Sequence, residues 1–256
     1  MIKAKKKFGQ NFLKDELVKQ QIIQAIPKDL KSILIEIGPG LGDLTAPILK
    51  SGFKLTSIEI DDSLIPILNE RFNKEILSGD FTLINADVMS VKISDEPYFI
   101  CANLPYYISS QIILNALFDD NCTGMLVMIQ KELADRFFGD DYCALSVITE
   151  LLCEKSLVCE VPPSAFVPMP KVNSSVIKLI KKPSLMDKKD IKGFNAFIKT
   201  AFNQPRKKML SSFSNKEKVK KALDLLGINE NVRAHEVSVK SFLEIFKLLK
   251  DDNEYR

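Results

Sequence analysis

One histidine, His235, is all the imidazole in this chain of 256 residues. That scarcity disfavours a histidine-based metal site and a Ser-His triad. His235 itself reads as a helix-boundary or packing residue. The five cysteines (Cys101, Cys122, Cys143, Cys153 and Cys159) are odd in number, and none forms a C-x-x-C pair. They lie in apolar surroundings and read as buried free thiols of a reducing compartment, so the expected location is cytoplasmic. Long hydrophobic runs are also missing. A stretch such as Met125–Ile129 falls far below the ~20 residues a membrane span needs. The basic start "MIKAKKKFGQ" is not followed by an apolar segment, so no signal peptide is expected. No internal repeat or low-complexity stretch is found.

What is present is a chain long enough for one large domain, or for one domain and a small one. Hydrophobic residues make up 46% and charged residues 27%, which leaves ample material for a core. The net charge of +3 conceals an uneven distribution. Residues 1–14 hold five lysines and no acid, and residues 171–221 hold 15 lysines and arginines against three acids. The remainder is net acidic. Such asymmetry points to a basic surface for a polyanion such as a nucleic acid, with Lys5, Lys6, Lys7, Arg206, Lys207 and Lys208 as candidate binding residues. Charge runs are also common on solvated helix faces, and the N-terminal lysines read as a tail that is disordered before it meets its partner.

Strand-like and helix-like segments alternate through the first two-thirds. "SILIEI" (32–37), "KLTSIEI" (54–60), "FTLINA" (81–86), "YFICAN" (98–103) and "GMLVMI" (124–129) read as strands. Helical patterns lie between them, over 62–72, 109–118 and 131–138, and "DLTAPILKSG" ends on Gly52. Near-continuous apolar strands alternating with helices predict an α/β fold with a mostly parallel sheet covered on both faces. "LVCEVP" and "SSVIKLIKK" flank a proline-rich loop and predict an antiparallel edge. Beyond "KKPSLMDKKD" (181–190) only helical spacing remains. The expected division is a first domain over 1–182 and a small all-helical domain over 183–256.

"EIGPGLGDLT" follows the first main strand. Gly38, Gly40 and Gly42 permit tight turning and close approach of a ligand. A dinucleotide fingerprint would want glycine at 43, where Asp43 stands. A carboxylate there disfavours a pyrophosphate, and with it a nicotinamide-dependent oxidoreductase. Glu59 ends the next strand, 21 residues after Gly38, where an acid can accept from two ribose hydroxyls. Asp87 ends the third strand and could accept from an adenine amino group. Acids at successive strand ends without a phosphate loop point to a nucleoside without phosphates, and S-adenosylmethionine fits.

"NLPYYIS" (103–109) then breaks a strand with an amide, a proline and two tyrosines. An adenine amino group is a poor nucleophile because its lone pair is delocalised. The Asn103 side-chain oxygen and the Leu104 carbonyl, accepting its two hydrogens, would favour a tetrahedral nitrogen. Pro105 fixes the turn, and Tyr106 can stack on the base. Catalysis of this kind is positioning and electrostatics. Taken alone, the stretch could equally be a plain turn with packed tyrosines. Phe166, in "AFVPMPKV", reads equally as a core aromatic or as part of a linker between strands.

The chain resembles the KsgA-type ribosomal RNA adenine dimethyltransferases along its length. The resemblance rests on "KKFGQNFL" (6–13), "EIGPGLGDLT" (36–45), "IEID" (58–61), "NADVM" (85–89), "NLPYYIS" (103–109) and "FVPMPKVNSSV" (166–176). "NQPRKKML" (203–210) resembles the family's basic helix. The resemblance implies a Rossmann-like class I methyltransferase sheet. It implies that Asn11, Leu13, Gly38, Glu59, Asp87 and Asn103 line the methyl-donor site, with Gly40 in the same loop. Asn103, Leu104 and Tyr106 would hold the target adenine, with Phe166 over its other face. It implies dimethylation of two adjacent adenosines in a hairpin loop near the 3′ end of small-subunit rRNA, on a late assembly particle; the free protein is separately expected to be a monomer. Tyr107 stands where many members have Asn, and the acceptor positions are unaffected. The Erm-type large-subunit methylases share "QNFL" and the NxPY loop but more often have Ile where Leu104 stands. A catalytically idle assembly factor is the other alternative, and the intact Glu59, Asp87 and NLPY set disfavours it.

Overall fold

In the chain's strands, β-branched and aromatic residues run together, and the burial of those runs sets their place in the sheet. The computed structural model describes residues 10–139, 142–183 and 186–250, without the side chain of Lys188. Two compact units form: one comprises the chain up to Ala134 together with Lys155–Lys181, the other Asp135–Glu154 together with the chain from Lys182.

The first unit begins with a two-residue strand β1 (Phe12–Leu13) and helix α1 (Glu16–Ala25). Asp15 caps α1 by accepting from the amides of Leu17 and Val18. There follow β2 (Ile33–Ile37), α2 (Thr45–Lys50), β3 (Leu55–Glu59), α3 (Ile65–Arg71), α4 (Asn73–Ser78), β4 (Phe81–Asn85), β5 (Tyr98–Asn103), α5 (Ser109–Phe118) and β6 (Cys122–Gln130). Within α6 (Lys131–Phe138) the chain passes into the second unit, and after α7 (Ala144–Leu152) it returns through β7 (Cys153–Val161). A two-residue β8 (Phe166–Val167) and β9 (Ser174–Lys181) complete the first unit.

Seven strands form one sheet in the order β4-β3-β2-β5-β6-β9-β7. The pairs from β4 to β6 are parallel, and β9 runs antiparallel to β6. β2, β5 and β6 are buried along almost their whole length, as strands covered on both faces must be. Edge strand β4 alternates instead and is largely exposed. Gly42 and Gly52 hold φ of +84°, one entering α2 and one ending it. A Cβ at Gly42 would meet the Phe72 ring at 2.4 Å, so glycine there also admits the core.

The direction of strand order reverses between β2 and β5. These two neighbours are parallel, with Leu34 opposite Phe99, so the loops leaving their C-terminal ends rise side by side. Open α/β sheets bind ligands in the crevice at such a reversal. Separately, β1 pairs antiparallel with β8, Phe12 opposite Val167 and Leu13 opposite Phe166.

The second unit is helical: α7, α8 (Lys188–Ala201), α9 (Lys216–Leu225) and α10 (Val239–Lys250). Asp187 and Asn215 cap α8 and α9 through their side chains. Its core is a phenylalanine cluster. Phe194 meets Phe246 edge-on at 5.4 Å, and Phe197 lies 5.5 Å from Phe213 and 6.1 Å from Phe242. Residues 135–154 group with these helices, a piece that a boundary near Lys182 leaves with the sheet.

All five cysteines are free thiols; Cys101, Cys122 and Cys153 are buried, while Cys143 and Cys159 are half-buried. Among the described residues no helix is long and apolar enough to cross a membrane.

Candidate active site

The loops after β2 and β5 line a cleft that opens to solvent. The N-terminal segment from Gln10 to Leu13 closes one side. Glu36, Asp43 and Glu59 all line it, and among the described residues no lysine, arginine or histidine does.

Glu59 ends β3 and is 4% exposed. Its two oxygens are used separately. Oε2 accepts from the Gly40 amide at 3.1 Å and Oε1 from the Asp61 amide at 2.8 Å. The carboxylate thus braces the glycine loop while keeping lone pairs for further donors. Burial raises its pKa, and the two amides oppose that shift. Gly40 has φ +60°, and a Cβ there would strike the Phe12 ring at 2.9 Å. The glycine therefore lets the N-terminal segment lie close on the loop.

Glu36, on β2, is 1% exposed. Thr45 Oγ1 at 2.6 Å and Ser57 Oγ at 2.8 Å both donate to its Oε2. Desolvation pushes its pKa up to about 7 against those two bonds, with the negative charges of Glu59 and Asp43 adding to the rise.

The N-terminal segment is fastened at several points. Gln10 Nε2 donates to Asp61 Oδ2 at 3.0 Å, and Lys14 Nζ pairs with Asp43 Oδ2 at 2.6 Å. The Lys14 amide donates to the Ala165 carbonyl at 2.7 Å. Asn103 Nδ2 donates to the Asn11 carbonyl at 3.0 Å. A carbonyl can be met only by the amide's NH2 side, so this bond fixes the rotamer and leaves Oδ1 as the acceptor.

The rest of the NLPYYIS loop is held as firmly. The Leu104 amide donates to the Met128 carbonyl at 3.1 Å, and Ile108 N–H to the Pro105 carbonyl at 3.2 Å. Ser109 Oγ donates to the Tyr106 carbonyl at 3.1 Å. Tyr106 lines the cleft, and its hydroxyl shares a 2.7 Å hydrogen bond with Ser174 Oγ. Burial raises the Tyr106 pKa, so the phenol stays protonated. Tyr107 is 57% exposed at the rim.

Of the residues singled out from the sequence, Asn11, Leu13, Gly38, Gly40, Glu59, Asn103, Leu104 and Tyr106 line this one cleft. Asp87 and Phe166 are not among its lining residues. The Asp87 side chain accepts from the Met89 amide at 2.9 Å and shapes the turn after β4. Phe166 is 2% exposed and belongs to the core cluster with Leu13 and Leu44. Arg206, Lys207 and Lys208 are all exposed, but on turns following α8 and not on a helix. Pro205 and the end of α8 account for that. Lys5, Lys6 and Lys7 lie outside the described residues. Sequence reasoning missed the role of Glu36, although an acid interrupting "SILIEI" was a visible signal. It also missed Ser174, which lies within "FVPMPKVNSSV" but was assigned no role there.

The donor set tests the expected cofactor. Lys14 neutralises Asp43 and burial brings the Glu36 pKa up to about 7, so Glu59 is the acid that sets the sign of the cleft, which disfavours a phosphate and suits a cationic nucleoside. S-adenosylmethionine, a sulfonium with an amino-acid tail, fits that set.

Comparison with known proteins agrees. A family model described as ribosomal RNA adenine dimethylase matches residues 1–251. The chain is 45% identical over 260 residues to ribosomal RNA small subunit methyltransferase A of Campylobacter jejuni strain RM1221, covering 98% of this chain and 97% of that protein. A crystal structure of a dimethyladenosine transferase from Plasmodium falciparum superposes with a TM-score of 0.78 at 25% identity, covering 95% of this chain and 98% of the other. That of the 23S rRNA methyltransferase ErmE gives 0.73 at 24% identity, covering 94% and 100%, a likeness of fold. With the family model spanning its length and a relative this similar, the chain belongs to the ribosomal RNA adenine dimethylase family.

Proposed function

We propose that this protein transfers methyl groups from S-adenosylmethionine to the exocyclic amines of two adjacent adenosines in the 3′-terminal hairpin loop of small-subunit rRNA, within a late assembly particle. The observation that carries this reading is the juxtaposition at the sheet's reversal point: a carboxylate-lined cleft meets the NLPY loop.

When bound, S-adenosylmethionine supplies an activated methyl group on a sulfonium, so a strong general base is unnecessary. Glu59 accepts from the ribose hydroxyls with the lone pairs its two amide bonds leave. The glycine loop admits the donor close to the backbone. Asp87 accepts from the donor's adenine amine, in a role that requires the turn after β4 to face the bound nucleoside. Asn103 Oδ1, fixed by the bond to Asn11, and the Leu104 carbonyl accept the two hydrogens of the target amine. Those contacts draw the nitrogen towards tetrahedral geometry and expose its lone pair. Tyr106 stacks on the target base. Phe166 covers its other face, which requires the ring to emerge from its present packing. The chain through residue 182, apart from the 135–154 segment that groups with the helices, carries this chemistry, and the helical unit binds RNA through Arg206, Lys207 and Lys208, with Lys5, Lys6 and Lys7 contributing at the other end. The protein acts in the cytoplasm and is monomeric until it meets the particle.

The test is methylation of small-subunit particles lacking the modification, with labelled donor and analysis of the rRNA nucleosides. Labelled dimethyladenosine in small-subunit rRNA is expected. Label in large-subunit rRNA alone would favour the Erm-type activity. Donor binding without any transfer would favour an idle assembly factor.

A further inference from the structure

We propose that Ser174 is a positioning residue for methyl transfer, acting through the Tyr106 hydroxyl to hold the ring in the orientation that receives the target base. This rests on the reading of Tyr106 as the platform for that base.

Ser174 opens β9 and stands opposite Gln130, the last residue of β6. It is fully buried, at 0% exposure. The ladder is closed just beyond it by the Lys131 amide on the Asn173 carbonyl, at 2.9 Å. Its hydroxyl therefore sits on a rigid strand end, not on a loop. Tyr106 sits on a loop, half-buried, with its ring against the cleft. The 2.7 Å bond spans 68 residues of sequence to join them. Ser109 fixes the backbone of the same tyrosine at the Tyr106 carbonyl. Backbone and ring tip are thus pinned from two different elements.

A tyrosine ring on a loop has several staggered wells about χ1. Only one can present a face parallel to an incoming base. Pinning the hydroxyl selects that well before the base arrives, so ordering the ring does not burden the binding step. The adjacent buried Ser175 hydroxyl has no hydrogen-bond partner among the described residues, whereas the Ser174 hydroxyl is engaged by a tyrosine that lines the ligand cleft. The raised pKa of Tyr106 keeps the phenol neutral, which suits an anchor and not a proton acceptor.

Ser174→Ala, Tyr106→Phe, the double variant and Tyr106→Ala test this. The readouts are single-turnover methylation of small-subunit particles at saturating donor, and the S-adenosylhomocysteine dissociation constant. Ser174→Ala and Tyr106→Phe should each slow methylation by roughly three- to tenfold with the donor constant unchanged, as expected for one hydrogen bond. The double variant should be no slower than either single one. Additive losses, or a normal rate in Tyr106→Phe, would overturn the proposal. If Ser174→Ala does not fold, Tyr106→Phe decides alone, because it removes the same bond from the cleft side. Tyr106→Ala separates the two readings. A large loss there beside normal Tyr106→Phe leaves the platform standing and sinks the anchor; a normal rate there sinks both.

Discussion

Glu59 offers the sharpest test of the donor site, because its geometry predicts that the mildest substitution will be as damaging as a harsh one. At an exposed acid, Gln is a gentle change. Here each carboxylate oxygen accepts a different backbone amide, from Gly40 and from Asp61. A glutamine has one acceptor oxygen and an NH2. Whichever way the amide turns, its NH2 faces an N–H that has no acceptor left. Glu59→Ala removes both acceptors and opens a space in a site that is 4% exposed. Losing hydrogen bonds from donor hydroxyls to an ionised acceptor costs about 1.5–3 kcal/mol. That corresponds to a dissociation constant raised about 10- to 150-fold. Calorimetry with S-adenosylhomocysteine measures it, alongside thermal denaturation to show that the variants remain folded. Glu59→Gln and Glu59→Ala should both fall in this range. Wild-type affinity in either variant would refute the assignment and reduce Glu59 to a brace for the loop.

Glu36 should behave in the opposite way, since Thr45 and Ser57 both donate to one of its oxygens and a glutamine carbonyl can replace that oxygen. Its folded pKa of about 7 lies above the ordinary 4.5, so the unfolded chain releases this proton first and the folded state loses stability as pH rises between those values. Glu36→Gln should match wild type near pH 4 and exceed it by up to about 3 kcal/mol above pH 7, and a stability gap that does not change with pH would disprove this. Asn103→Ala should nearly abolish single-turnover methyl transfer while donor affinity changes little; a rate within a few-fold of wild type would remove Asn103 from the chemistry. Replacing Arg206, Lys207 and Lys208 together by Ala should lower the slope of log affinity against log salt by roughly one to three for particle binding, with donor binding untouched. An identical slope would assign these exposed residues to a solvated surface.

The parts of this protein that could be read in advance are those specified by short-range pattern. β2, β3, β4, β5 and β6 were legible because each is a run of apolar or β-branched residues bounded by glycine or polar turns. The placement of Glu59 followed from its distance to the glycine loop. Elements specified by distant partners were not legible. β1 and β8 are two residues each and exist as strands because they pair with one another. "ALSVITELL", helix α7, is apolar enough to pass for sheet material, yet it groups with the C-terminal helices. α4 follows α3 across the single residue Phe72 and lies beyond the helical pattern read over 62–72. Glu36 hides its function for a related reason: its hydroxyl donors stand nine and 21 residues away, on α2 and β3.

The pairing of residues 12–13 with 166–167 has a consequence for the order of events during synthesis. One wall of the donor cleft is the segment from Gln10 to Leu13, and this ladder is among the contacts that hold it. The ribosome must therefore deliver β8 before that wall gains its strand partner, long after β2, β3 and β5 have emerged. Closing so long a loop has an entropic cost that grows slowly with length and is offset only when the far contact forms. A nascent chain ending before Phe166 should hold the glycine loop and Glu59 but only a weak donor site. Affinity for S-adenosylhomocysteine should rise in one step as successively longer stalled chains pass Val167 and clear the exit tunnel. The ligand would then report, from within the translating ribosome, the arrival of β8 at the cleft, before β9 completes the first unit.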